Sequence, residues 1–101
     1  MFFRPSDDLS LSEFKAKLEL EGGVIVDCRT PMECANGILP NALQADWNAG
    51  EFADFAANLD KTKPVYCYCK SGMRSGAAVE YLKNQGFDSA FNLGGYDALK
   101  G

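Results

Sequence analysis

The sequence predicts an α/β fold: a single domain over residues 1–101, with a mainly parallel central sheet flanked by helices. Short apolar runs alternate with helix-forming runs, and Gly, Pro or a capping residue marks most junctions. Such alternation produces parallel strands joined by helical crossovers. A chain of 101 residues also buries one modest core and leaves too little for a second domain.

The elements follow in order. Ser10 and Glu13 match a capping box, followed by Phe14, Ala16 and Leu18 in the first helix. Gly22-Gly23 ends that helix, and Val24–Asp27 forms a short buried strand. Thr30, Pro31 and Glu33 supply the cap, first-turn proline and N3 acid of a short second helix, which Gly37 and Pro40 break. Ala42–Ala45 is a further strand, at the edge or in the interior. Asn48 and Glu51 offer a capping box for a helix carrying Phe52, Phe55, Ala56 and Leu59, where the Phe52 and Phe55 spacing reads as core packing. After a turn at Lys61–Pro64 comes the central strand, Val65–Tyr68. Ser75–Gln85 is helical, with Ala78 and Leu82 on one face and Gly86 as C-cap. Phe87–Asn92 is the last strand, and Gly94-Gly95 leads into a short terminal helix. The acidic pair Asp7-Asp8 reads as a solvated lead-in.

Composition excludes several functions. The net charge is -4 without a long basic block, which argues against nucleic acid as a partner. No apolar segment is long enough to cross a bilayer, so no membrane partner is expected. The start, MFFRPSDDLS, has neither a sustained apolar region nor a small-residue cleavage site, and a cytoplasmic location follows. Of the four cysteines, Cys67 and Cys69 stand two apart on one strand, while Cys28 and Cys34 flank another strand–helix junction. That arrangement suits reduced thiols better than disulfides. The absence of histidine excludes Cys-His zinc sites and Cys-His catalysis, and Cys-x-Cys with Cys-x5-Cys is poor metal spacing. No metal is expected.

The chemistry concentrates in VYCYCKSGMRS, Val65–Ser75. A strand ends at Cys69, four residues separate that thiol from Arg74, and a helix follows. The carboxyl ends of strands leading into helix N-termini are where open α/β sheets place anions and nucleophiles. Backbone N–H groups after Cys69, where they converge as a nest, stabilise a thiolate and a bound oxyanion together. Gly72 permits a sharp turn, Lys70 and Arg74 bring positive charge that favours the thiolate, and Ser71 and Ser75 add hydroxyl donors. Cys69 is therefore the candidate nucleophile. The candidate substrate-binding residues are Lys70, Ser71, Gly72, Met73, Arg74 and Ser75, with Asp27, Cys28 and Arg29 in support.

These motifs, in this order, resemble the rhodanese-like family in its single-domain sulfurtransferase form. One family signature looks like Val26-Asp27-Cys28-Arg29-Thr30-Pro31-Met32-Glu33 followed by Gly37-Ile38-Leu39-Pro40-Asn41-Ala42. A second, Cys-x-x-Gly-x-Arg-Ser, falls on Cys69, Gly72, Arg74 and Ser75, and Asn92-Leu93-Gly94-Gly95-Tyr96 resembles the family's Gly-Gly segment. Ile38 stands where the family usually has histidine, and Asn41 where it has glycine.

The resemblance implies sulfane-sulfur transfer without a cofactor. Cys69 takes sulfur from thiosulfate or a persulfide, holds it as a persulfide, and passes it to cyanide, a small thiol or a thiol-bearing protein. It also implies that the main-chain N–H groups from Lys70 to Ser75 hold the anion, with the Lys70 side chain on the sulfonate. One alternative is a cysteine-dependent arsenate or phosphate-ester enzyme, although Cys-x4-Arg is one residue shorter than the usual phosphatase loop. Another is a non-enzymatic binding module. The oligomeric state is left open.

The remaining candidates have simpler readings. Asp27 accepts hydrogen bonds from its turn or holds a basic residue. Arg29 and Glu33 are spaced for a local ion pair. Arg74 touches substrate or braces the loop, with bracing favoured. Cys28 is an unpaired thiol or the redox partner of Cys69; Cys67 points into the core, and Cys34 is helical filler. Trp47, Met32 and Met73 are candidates for the rim of the mouth.

Overall fold

Along the chain the elements are α1 (Leu11–Glu21), β1 (Val24–Asp27), α2 (Pro31–Cys34), β2 (Leu43–Gln44), α3 (Phe52–Ala56), β3 (Val65–Cys69), α4 (Met73–Asn84), β4 (Ala90–Gly95) and α5 (Tyr96–Lys100). They belong to a computed structural model that describes residues 7–100. The sequence reading of residues 1–6 lies outside the described residues. Among the described residues, no helix is long and apolar enough to cross a membrane.

All four strands run parallel, in the order β2-β1-β3-β4. The β-branched and aromatic runs VIVD and VYCYC occupy the interior positions, as strands covered on both faces require. Alternation along β3 divides its side chains. Val65, Cys67 and Cys69 pack with Val26 and Cys28 against Phe52 and Ala56 of α3 and Ala78, Val79 and Leu82 of α4. Tyr66 and Tyr68 point the opposite way, onto Phe14 of α1 and Leu99 of α5. Cys67 thus points into the core, and Ala78 and Leu82 share a buried face.

Two helix starts form as the sequence predicts. Ser10 with Glu13 and Thr30 with Glu33 close reciprocal capping boxes, each satisfying two N–H groups that the helix cannot pair internally. The box expected at Asn48 and Glu51 does not form. Glu51 is itself the cap residue of α3, in helical conformation, and its carboxylate accepts the Asp46 N–H at 3.3 Å. Asp46 in turn accepts the Ala49 N–H at 3.2 Å, so a buried aspartate organises that turn. The short β2 lies at the sheet edge.

Several boundaries move: β2 shortens to Leu43–Gln44, α3 ends at Ala56 before Leu59, and β3 runs on to Cys69. Helix α4 begins at Met73 rather than Ser75, because Gly72 caps it at a φ of 98°. It ends with Gln85 as the cap and Gly86 in the left-handed region just beyond. The last strand is Ala90–Gly95, not Phe87–Asn92. Phe87 is drawn into the core behind the helix end, its N–H bonded to the Leu82 carbonyl. The ladder with β3 skips Leu93, pairing Cys67 with Asn92 but Tyr68 with Gly94 and Cys69 with Gly95. The acidic pair is solvated only in part: Asp7 binds Lys83 at 2.9 Å, while Asp8 is exposed and bridges Asn92 through its backbone beside β4.

The Cys69–Gly95 pairing brings two backbones into contact. A Cβ at Gly95 would stand 2.4 Å from the Lys70 carbonyl oxygen. Gly95→Ala is expected to cost about 1–3 kcal/mol of stability through forced backbone movement. Urea unfolding measures it, and an unchanged midpoint would show that the contact yields freely.

Candidate active site

Cys69 is the last residue of β3, and the chain turns immediately over its own sulfur. The turn needs glycine at position 72 twice over: its φ is 98°, and a Cβ there would lie 3.3 Å from the Gly94 Cα. With that backbone, the Gly72 N–H donates to Cys69 Sγ at 3.0 Å, and the Ser75 hydroxyl lies 3.5 Å from the same sulfur. Cys69 has no exposed surface. Burial pushes its thiol pKa up, but the Ser75 hydroxyl and the amides of Ser75, Gly72 and Ser71 outweigh it. The thiol ends below its ordinary value. Each stabilises the charged form at a site where water is excluded.

The other candidate residues separate into layers. Asp27 and Arg29 form a buried pair: Arg29 donates through Nε and Nη2 to both carboxylate oxygens at 2.8–3.1 Å, and its own N–H donates to Oδ1 at 2.9 Å. Burial pushes the Asp27 carboxyl up, and Arg29 together with Tyr68 brings it below the usual carboxylate value. The guanidinium also donates to the Gly37 carbonyl at 2.8 Å and lies 4.2 Å from the centre of the Tyr96 ring. The expected Arg29–Glu33 pair is therefore absent. Glu33 is taken instead by Arg74, in two parallel bonds of 2.7 and 2.9 Å that tie α2 to α4. Arg74 braces the loop, with its fork already occupied by a carboxylate.

The six loop residues do not line one cradle. Lys70 is exposed on a cleft of about 390 Å³ that it shares with Arg29, Met32, Glu33, Asn36 and Tyr96. Ser71, Gly72 and Met73 line a second cleft of about 350 Å³, facing Asn92 and Gly94. Cys69 and Ser75 lie buried between these faces. Met32 and Met73 are highly exposed on the two rims, whereas Trp47 packs away from them against Phe52 and Tyr81. Cys28 is buried with its thiol against Cys67, and that contact, with burial, drives its pKa upward. Cys34 is pushed up to about 11 by burial and the charge of Asp27. All four cysteines are free.

Two residues that pack around the loop were given no role in the sequence reading. Asn92 binds Ser75, Gly72 and Gly94 at once. Tyr68 accepts the Leu39 N–H at 2.9 Å and stacks on Tyr96, closing the site from the opposite face of the sheet. Only the Asn-Leu-Gly-Gly-Tyr run pointed toward either residue.

The Rhodanese-like domain family matches residues 10–101. The chain belongs to that family. A sulfurtransferase of Allochromatium vinosum is 38% identical over 89 residues, spanning 88% of this chain and 79% of the relative. A protein of Pseudomonas entomophila named thiosulfate sulfurtransferase GlpE is 35% identical over 92 residues, covering 84% and 83%. A crystal structure of a rhodanese-like domain protein from Staphylococcus aureus superposes with a TM-score of 0.79 at 35% identity, covering 92% and 90%. The rhodanese-like fold absorbs both sequence departures. Asn41 adopts a φ of 66°, the left-handed conformation that asparagine tolerates best after glycine. Ile38, at the usual histidine position, is partly exposed beside Leu39.

Asp27→Ala is expected to cost about 3–5 kcal/mol in urea unfolding, because it strands a buried guanidinium. A cost near that of an exposed pair would remove the argument. Glu33 has its carboxyl lowered from 4.5 to about 2, chiefly by Arg74. A folded-state value below the unfolded one gives stability that is complete above pH 4.5 and lost as pH falls toward 2. Glu33→Gln should therefore flatten the acid limb of a stability–pH curve. An identical limb in the variant would show that Arg74 does not hold this carboxylate.

Proposed function

We propose that this rhodanese-like domain is a sulfurtransferase working through a persulfide on Cys69. The observation that carries the reading is the Gly72 N–H, 3.0 Å from Sγ, in a loop folded tightly over a single sulfur. A loop of this size suits a thiolate and one sulfane sulfur; a tetrahedral phosphoryl group needs a wider ring of donors. The relatives named sulfurtransferase and thiosulfate sulfurtransferase support the same chemistry.

In the first half-reaction the Cys69 thiolate attacks the outer sulfur of thiosulfate. The new S–S bond forms as the donor S–S bond breaks, and sulfite leaves with the electron pair. A persulfide donor reacts likewise and releases its thiol. In the second half-reaction, cyanide or a thiolate attacks the outer sulfur, and Cys69 leaves as a thiolate. The loop amides stabilise that thiolate in both directions. Because Sγ has no exposed surface in the resting protein, donor entry displaces loop atoms. Lys70, exposed at one rim, is the residue assigned to the sulfonate, a role that its positive charge next to Cys69 in the chain supports. The free thiols support a reducing, cytoplasmic setting.

Incubation with thiosulfate should add one sulfur to the intact mass, removable by cyanide and absent in Cys69→Ser. A wild-type protein that gains no sulfur from any thiosulfate or persulfide donor would overturn the proposal. Lys70→Ala should lower kcat/KM about 10-fold or more for thiosulfate, a loss expected for one charge at a developing anion, and less for an uncharged persulfide. Equal losses for both donors would remove Lys70 from sulfonate binding.

A further inference from the structure

The Ser75 hydroxyl has one proton and two claimants. Its oxygen lies 2.7 Å from Asn92 Oδ1 and 3.5 Å from Cys69 Sγ. The first distance is optimal for O–H···O, and the second is the longer, weaker contact of a hydroxyl with sulfur. Oδ1 is a carbonyl oxygen and can only accept. It cannot be exchanged with the amide nitrogen, because both ends of the side chain are fixed by backbone. Nδ2 donates to the Gly72 carbonyl at 3.0 Å, and Oδ1 accepts the Gly94 N–H at 3.0 Å. A flipped amide would face oxygen with oxygen at Gly72 and N–H with N–H at Gly94. While Cys69 is a neutral thiol, the Ser75 proton therefore belongs to Asn92.

When Cys69 ionises, the sulfur becomes a charged acceptor and competes for that proton. Swinging the hydroxyl toward Sγ breaks the 2.7 Å bond and leaves two oxygens facing each other. We propose that Asn92 is a positioning residue for the Cys69 nucleophile, setting its readiness to ionise by holding the Ser75 hydroxyl proton away from the sulfur. The amides of the loop favour the thiolate; Asn92 opposes one of its donors. That opposition has a use in sulfur transfer. A thiolate stabilised too strongly is a poorer nucleophile, and attack is fastest when the thiol titrates near ambient pH. The other titratable groups facing the sulfur are Arg74 of α4, bound to Glu33, and the buried thiol of Cys28 beyond β1.

The inference rests on Cys69 being the transfer nucleophile, yet its test needs no sulfur donor. Thiolate ultraviolet absorbance against pH, taken as a difference from the matching Cys69→Ser protein, reports the Cys69 midpoint directly. A protein that takes up no sulfur still yields this titration, so the two readings fail separately. Asn92→Ala should lower the midpoint by roughly half to one pH unit, the worth of one released hydrogen bond. In a Ser75→Ala background the same substitution should leave the midpoint unmoved, because no hydroxyl proton remains to redirect. A loop merely loosened by loss of the Gly72 bond would shift both backgrounds alike, and that result overturns the proposal. If Asn92→Ala does not fold, Asn92→Asp carries the test in the opposite sense. Its carboxylate binds the proton harder, so the midpoint should rise further with Ser75 than with Ser75→Ala. Equal rises in the two backgrounds would likewise overturn it.

Discussion

The close approach of the Cys69 loop to the Gly94-Gly95 backbone is the constraint on which the rest of the site depends. A side chain at position 95 would collide with the Lys70 carbonyl, and one at 72 would press on Gly94. With both removed, the end of β4 runs alongside the turn instead of stopping short of it. The register shift at Leu93 serves the same end, placing Asn92 opposite Cys67 and Gly95 opposite Cys69. Asn92 then reaches the turn with its amide, donating to the Gly72 carbonyl while its Oδ1 accepts the Ser75 hydroxyl proton.

Charge at the site is arranged by depth. Arg29 and Asp27 are buried together, and the guanidinium is fixed by a carbonyl and an aromatic face as well as by the carboxylate. Such a pair contributes more to a unique arrangement than to net stability, because desolvation offsets most of its attraction. Arg74 and Glu33 are partly exposed and act as a strut between α2 and α4. Since Glu33 neutralises Arg74, the field that arginine exerts at Cys69 is diminished. The thiolate is stabilised chiefly by hydrogen-bond donors instead. Amides cost no reorganisation when charge moves on or off the sulfur, which suits the proposed cycle, in which Cys69 is nucleophile in one half-reaction and leaving group in the next.

Burial does not decide which cysteine ionises: Cys28 and Cys69 are both fully buried, yet the first thiol is pushed up and the second brought down. Cys34 is the most accessible of the four, yet its thiol is pushed up to about 11. Cys69 is fully buried and lies below its ordinary value. Accessibility alone would therefore select Cys34, the cysteine whose thiol ionises less readily than that of Cys69. The thiolate needs donors, and donors are densest where a strand ends and a helix begins.

Whatever depends on neighbours a few residues apart was legible in the sequence. The capping boxes at Ser10 and Thr30, the alternation that turns Cys67 inward, and the strand ending at Cys69 all rest on local spacing and helix or strand periodicity. The family resemblance was legible for the same reason, since its motifs are short local runs. Local spacing misled at Arg29 and Glu33, which are suitably spaced for each other, but Asp27, only two residues away, claims the first and the distant Arg74 the second. Arg74 lies 41 residues from Glu33, and Ser75 lies 17 from Asn92. Neither separation carries any periodicity to read. Those pairings exist because parallel strands place their carboxyl ends together and the register shift in β4 brings one more side chain into reach. The sequence by itself determined the strand that ends at Cys69 and the glycine turn around that thiol; tertiary packing decided which groups share its protons and which cations already hold a carboxylate.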